Sequence, residues 1–213
     1  MKTILVIVIA YLFGSIPWAL IIGKVFFHKD IRNEGSGNLG ASNAGRVLGK
    51  PFAIIVTILD AFKAALSMLV AHYIAPGTEI YAGLACCLGH CFPIFAGFKG
   101  GKAVATSYGF FFGIVLFLTG EWFWQFILPI LSFFLILYIT RMVSVSSMAS
   151  IGVETIASFI LALIGKIDWS IPIAVLCLWI FVIYRHKENI ARVKNGTESK
   201  ITWMGPIKSE NKN

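Results

Sequence analysis

Seven apolar stretches divide the chain, each close in length to the thickness of a bilayer and each bounded by polar residues. They run over roughly residues 3–23, 51–75, 80–98, 103–120, 122–140, 144–165 and 169–184. A bilayer core of roughly 30 Å is crossed by about 20 helical residues. With no water in hydrocarbon, a crossing segment must satisfy its own backbone, so each stretch is expected to be an α-helix. The pattern predicts an all-α integral membrane protein with seven transmembrane helices, the seventh short. The chain reads as one domain over residues 1–213, with a polar tail from about residue 195 and Trp203 as an interfacial anchor. The first stretch follows Lys2 but continues to Gly23, longer than a signal-peptide core, and no small-x-small cleavage site follows it, so a retained span is expected.

Composition agrees: 58% of the residues are hydrophobic and 13% charged, where a soluble domain is nearer half and a quarter. The net charge of +8 would suggest nucleic acid in a soluble protein. Here its distribution gives a topology instead. With the N-terminus outside, the inward segments carry Lys24, Lys29, Arg32, Arg46 and Lys50, then Lys99 and Lys102, then Arg141. The C-terminal tail, also inward, carries Arg185, Lys187, Arg192, Lys194, Lys200, Lys208 and Lys212. That is fifteen of eighteen basic residues, and basic residues concentrate on the cytoplasmic side of membrane proteins. Glu79, Glu121 and Asp168 fall outside. The expected orientation has the C-terminus in the cytoplasm, and no nucleic-acid partner is expected.

Cys86, Cys87 and Cys91 lie in one apolar stretch and Cys177 in another, with no disulfide spacing. They are expected to pack as small hydrophobes, and no metal or other cofactor is expected.

The same orientation gathers four polar segments at the inner face. Gly35–Arg46 is rich in glycine, serine and asparagine and ends in a cation. Glycines let backbone N–H groups turn toward an anion, and Arg46 can grip a phosphate in bidentate fashion. Phe98-Lys99-Gly100-Gly101-Lys102 is a tight basic turn. It is not a Walker A loop, because Ala96 and Ala103 occupy positions where that motif needs glycine and Ser/Thr. Alone it fits a positive-inside hairpin as well as a phosphate site. Arg141, Ser144 and Ser147 share a helix face if the sixth helix starts early, although Arg141 would serve equally as an anchor at the head groups. In Arg185–Arg192, continued helix would put His186 and Asn189 on one face between Arg185 and Arg192. A histidine there can bind phosphate or move a proton, and a basic stop-transfer tail is the plainer reading. Asp60 and Lys63, at i and i+3 within the second stretch, are expected to neutralise one another inside the bundle. His90 is expected to make a structural hydrogen bond.

These segments together resemble the acyl-phosphate:glycerol-3-phosphate acyltransferase family, PlsY. The resemblance runs from Gly14-Ser15-Ile16-Pro17 through Gly35–Arg46, Asp60 and Lys63. It continues through Gly89-His90-Cys91-Phe92-Pro93-Ile94-Phe95 and Phe98–Lys102, then Val104-Ala105-Thr106, Ser144–Ser147, Arg185-His186 with Asn189, and Gly196-Thr197-Glu198. Ser42, Ala64 and Ala103 depart from the family pattern, which commonly has threonine, glycine and glycine there. Ala103 would restrict the turn if that position needs a positive φ.

The resemblance implies seven spans and a cytoplasmic active site. It implies transfer of a fatty acyl group from a long-chain acyl phosphate to the 1-hydroxyl of glycerol 3-phosphate, giving lysophosphatidic acid and phosphate without acyl-CoA or a metal. Membrane lipid and the enzyme that makes acyl phosphate are the implied partners. On that basis Ser36, Arg46, Lys102, Arg141 and the Gly100–Gly101 backbone are expected to hold phosphate groups, and His186 and Asn189 to orient the glycerol. His186 and a substrate phosphate oxygen are both candidates for the proton acceptor. An acyl-enzyme on Ser36 or Ser144 is the covalent alternative, although no serine–histidine–carboxylate arrangement is visible. A phosphate-ester transporter would suit the basic inner face, but carriers bind nearer mid-membrane. An inactive relative is the remaining alternative. The His-x-x-x-x-Asp motif of acyl-CoA-dependent acyltransferases and the Asp-rich motif of CDP-alcohol phosphotransferases are absent.

Overall fold

The computed structural model describes residues 1–202; Trp203, Lys208 and Lys212 lie outside them. Among the described residues the chain forms ten α-helices: α1 Lys2–Gly14, α2 Trp18–Phe27, α3 Ala41–Val47, α4 Lys50–Ile74, α5 Glu79–Cys91, α6 Val104–Ile114, α7 Leu128–Thr140, α8 Val143–Leu163, α9 Ser170–Arg185 and α10 Lys187–Lys194. Wider π-helical turns at Val115–Thr119 and Phe123–Ile127 extend α6 and lead into α7.

Five segments are long and apolar enough to cross a membrane: Lys2–Phe27, Lys50–Ile74, Glu79–Ala96, Phe123–Thr140 and Val143–Leu163. Counting the bent pair α9 and α10 as one span makes six, and Val104–Thr119 is a shorter apolar helix. The first stretch is broken rather than continuous. Pro17 lacks an N–H and disfavours helix at Ile16, so α1 and α2 part there, and the Ser15 hydroxyl donates to the Tyr11 carbonyl at 2.8 Å.

The polarity of the bundle is inverted relative to a soluble protein. Ile54, Ile58 and Phe62 of α4 are exposed, as are Leu131, Phe134, Leu135 and Ile139 of α7, whereas Asp60, Lys63 and Ser67 are buried. Phe110, Phe111 and Ile114 of α6 pack with Met68, Ile151, Val175 and Val182 at the centre. A buried polar chain ties α8 to the π turns. Thr119 donates to Gln125, Gln125 to Ser158, and Ser158 to Glu154.

Helices α1 and α5 cross closely because Gly14 and Gly89 present bare backbone: a Cβ on Gly14 would strike Cys86, and one on Gly89 would strike Tyr11. Small residues at crossings are how membrane helices approach without a hydrophobic driving force.

Candidate active site

The Gly35–Arg46 segment is held together by Asn43. Its Nδ2 donates to the Ile31 and Glu34 carbonyls at 3.0 and 3.2 Å, and its Oδ1 accepts the Ser36 N–H at 2.8 Å and the Ser36 hydroxyl at 3.2 Å. Asn43 is itself buried, while Ser36 and Arg46 remain exposed. The loop is therefore built around one amide, with a hydroxyl and a guanidinium left on its surface.

The second segment folds back onto the end of α5. Gly100 N–H donates to the Cys91 carbonyl at 3.2 Å, and Gly101 N–H to the His90 carbonyl at 3.0 Å. A Cβ on either glycine would collide with α5 or with the His90 ring. These two N–H groups are spent on α5. The expectation that the Gly100–Gly101 backbone holds a phosphate is met by a turn that aims Lys102 instead. Ala103 adopts φ 59°, the left-handed conformation in question at that position, and begins α6 from it.

The third segment separates. Arg141 caps α7 at φ 59° with its guanidinium over the Tyr138 ring, and α8 begins only at Val143. Arg141 and Ser144 thus do not share one helix face. Ser144 is buried and donates its hydroxyl to Glu198 Oε1 at 2.6 Å.

In the fourth segment α9 does not continue straight. It bends by 59° at His186 into α10. His186 lies beyond the last turn of α9, buried, and its Nδ1 faces the Val182 carbonyl at 2.8 Å. A carbonyl only accepts, so Nδ1 carries the proton and Nε2 is left as an acceptor. Burial pushes the imidazole pKa down to about 4, against the opposing bond to Val182.

The bend lays α10 over Lys102. Lys102 Nζ donates to Asn189 Oδ1, and Asn189 Nδ2 donates to Glu198 Oε1 at 2.6 Å. Arg192 Nε reaches Glu198 Oε2 at 2.8 Å. Burial raises the Glu198 carboxyl pKa, but the bonds from Ser144, Asn189 and Arg192 outweigh it and hold the group below its ordinary value. Burial, then the positive charge of Arg192, lowers Lys102. Asn38, Lys102, Tyr184, Arg185, Lys187 and Glu188 line a cavity of about 130 Å³ beside this cluster. Three of the four polar segments meet there or next to it, and Ser144 joins through Glu198. Three cations at one small cavity suit an anion.

Sequence reasoning gave Glu198 no role of its own, and Asn38 and Asn43 only that of added donors toward an anion. Glu198 had a signal, an acid among the cations of the tail. Asn43 had none beyond its place in a polar run. Among the described residues no cluster of His, Cys, Asp and Glu could hold a metal ion.

A family model described as glycerol-3-phosphate acyltransferase matches residues 4–196. A glycerol-3-phosphate acyltransferase of Enterococcus faecalis is 43% identical over 210 residues, covering 95% of this chain and 94% of that protein. One from Lactiplantibacillus plantarum is 44% identical over 205 residues, covering 94% and 93%. The crystal structure of PlsY, an integral membrane glycerol 3-phosphate acyltransferase, in its glycerol 3-phosphate form superposes with a TM-score of 0.82 at 32% identity, covering 94% of this chain and 96% of that one. Its lysophosphatidic acid form gives 0.81 at 30%, with the same coverage.

Proposed function

The chain belongs to the glycerol-3-phosphate acyltransferase family of integral membrane proteins, and from that premise we propose that it transfers a fatty acyl group from acyl phosphate to the 1-hydroxyl of glycerol 3-phosphate. The products are lysophosphatidic acid and inorganic phosphate. The observation that carries this reading is the junction of Lys102, Asn189 and Glu198 beside a cation-lined cavity. Seven spans result when Val104–Thr119 and the apolar helix α9 are counted with the five longer segments, α10 lying beyond the seventh. The bias of basic residues supports an outside N-terminus and a site facing the cytoplasm, and the bacterial relatives support a bacterial cytoplasmic membrane.

Acyl phosphate is an activated donor, so the protein's work is to position two anions and stabilise charge. Lys102, with Ser36 and Arg46 brought up from the loop, binds substrate phosphates. Asn189 and the bare Nε2 of His186 orient the glycerol hydroxyl toward the acyl carbon. An imidazole with a pKa of about 4 is a weak base, and a phosphate monoester has its second pKa near ~6. The proton of the attacking hydroxyl therefore passes to a phosphate oxygen, while His186 Nε2 accepts a hydrogen bond from the neighbouring glycerol hydroxyl and so holds the attacking one in place. The acyl–oxygen bond to glycerol forms as the bond to phosphate breaks. Ser144, committed to Glu198, supports the junction and is not acylated.

The test is acyl transfer by purified protein, offering labelled glycerol 3-phosphate with palmitoyl phosphate and, separately, with palmitoyl-CoA. Lysophosphatidate from acyl phosphate alone is the expected result. Product from the thioester alone overturns the donor, and product from neither overturns the reaction.

A further inference from the structure

Asp60, Lys63 and His90 are almost fully buried, line no part of the cation-lined cavity, and have no task in the reaction above. Asp60 and Lys63 stand one turn apart on α4, and His90 stands in the last turn of α5. An ammonium group has three protons to donate. Lys63 Nζ has three acceptors: Asp60 Oδ1 at 2.8 Å, His90 Nδ1 at 3.0 Å and the Ile16 carbonyl, presented by the break between α1 and α2, at 3.1 Å. The same His90 Nδ1 lies 3.4 Å from Asp60 Oδ1, so the ring is tied to both members of the pair.

Neutralising Asp60 requires only Lys63. A buried ion pair is seldom a net gain in stability, so stability gives no reason to clip a third side chain into it. The reason lies at the other edge of the ring. A Cβ added to Gly101 would land on His90, meeting Nε2 first. The backbone of His90 and Cys91 receives the N–H groups of Gly101 and Gly100. From the opposite side Arg185 Nη2 reaches the Gly100 and Gly101 carbonyls at 3.4 and 3.1 Å, with its guanidinium over Phe92. The turn is clamped between the imidazole and the guanidinium, and the next residue is Lys102.

We propose that Asp60, Lys63 and His90 are positioning residues: the buried pair locks the His90 ring as a platform under the Gly100–Gly101 turn and so sets where Lys102 meets substrate phosphate. The proposal rests on the reading that Lys102 binds a substrate phosphate. The three residues touch neither substrate, and Lys102 is the group through which they act.

The experiment uses the full chain in lipid or detergent. Removing one charge would strand the other in the bundle, so the informative variant is the neutral double, Asp60→Asn with Lys63→Met. Its expected effect is a KM raised about tenfold for the substrate whose phosphate sits on Lys102, with kcat changed far less, the signature of lost binding. Amide exchange over residues 97–103 should accelerate while α4 and α5 stay protected. A second pair tests the contact itself. Gly101→Ala and His90→Ala should each raise the same KM, and the two together should raise it little more than the larger single effect, because both break one contact, a non-additivity that independent structural damage does not give. A folded neutral double with unchanged KM values and unchanged exchange overturns the proposal, as does a His90→Ala protein with an unchanged KM or a His90→Ala, Gly101→Ala double whose effects simply multiply. The exchange measurement needs no turnover. Absence of acyl transfer in the unsubstituted protein therefore counts against the proposed reaction, while exchange still decides whether the platform holds the turn.

Discussion

Asn189 donates to Glu198 Oε1 at 2.6 Å, and the same oxygen takes the Ser144 hydroxyl at 2.6 Å. One carboxylate oxygen thus joins α10, α8 and the segment after α10, while its other oxygen holds Arg192. Glu198→Gln keeps the shape but gives up the charge and turns one acceptor into a donor. It is expected to cut activity by at least about tenfold through Asn189 and to lower the thermal midpoint, since bonds to a charged group are each worth about 1.5–3 kcal/mol. Parallel activity and unfolding measurements on the variant check this.

The same carboxylate sets an acid limit. Its folded pKa lies below the ordinary 4.5, so the stability it contributes is complete above that value and is lost as pH falls through the lower folded value. Unfolding followed from pH 7 downward should show this loss only below about 4.5, and the Glu198→Gln protein should lack it.

His186 makes the opposite kind of statement about pH. With a pKa of about 4 it stays neutral across the working range. The pH–rate profile should show no inflection from this imidazole between about 5.5 and 8, although a free histidine titrates near ~6.5. His186→Ala is expected to lower kcat by about a hundredfold, the scale of a misplaced reacting group. A histidine-like inflection that vanishes in His186→Ala would contradict the assignment.

Arg46→Ala and Lys102→Ala each remove a cation from the proposed phosphate site and are expected to reduce turnover by about a hundredfold or more, with the protein still folded and inserted. Near-normal turnover in either variant removes that residue from the site. Ser144→Ala is expected to cost about 1 kcal/mol of stability and only part of the activity. Mass spectrometry after incubation with acyl phosphate alone should find no acyl adduct on any serine.

Ala103 has room for a simple gain. An alanine in the left-handed region is strained by roughly 1–2 kcal/mol, and glycine gives back about 0.5–1 kcal/mol through unfolded-chain entropy. Ala103→Gly should therefore stabilise by up to about 1.5 kcal/mol, read as a raised thermal midpoint with kinetics unchanged.

The helical membrane architecture was legible because bilayer thickness writes itself into the sequence as apolar length. The pairing of Asp60 with Lys63 was legible because helix spacing and the cost of buried charge leave few alternatives. What stayed hidden were relationships set by bends and long-range contacts. The break at Pro17 sits inside an unbroken apolar run, and no periodicity announces the 59° turn at His186. Arg141 read as a helical neighbour of Ser144, because a left-handed cap between two apolar helices leaves no mark on composition. Glu198 lies 54 positions from Ser144, a distance over which spacing carries no information. The Gly100–Gly101 pair drew notice as an anion-binding turn, whereas its closeness to α5, set by residues about ten positions away, left no mark on spacing.

The junction is also the last part of the chain to be made. The segment that completes it, ending at Glu198, follows the last apolar helix. A protein can thus hold every apolar helix and still lack the proposed site. Without Glu198, Asn189 Nδ2 and the Ser144 hydroxyl lose their shared acceptor. Chains clipped between Arg185 and Glu198 are expected to stay embedded in the membrane and to lose acyl transfer.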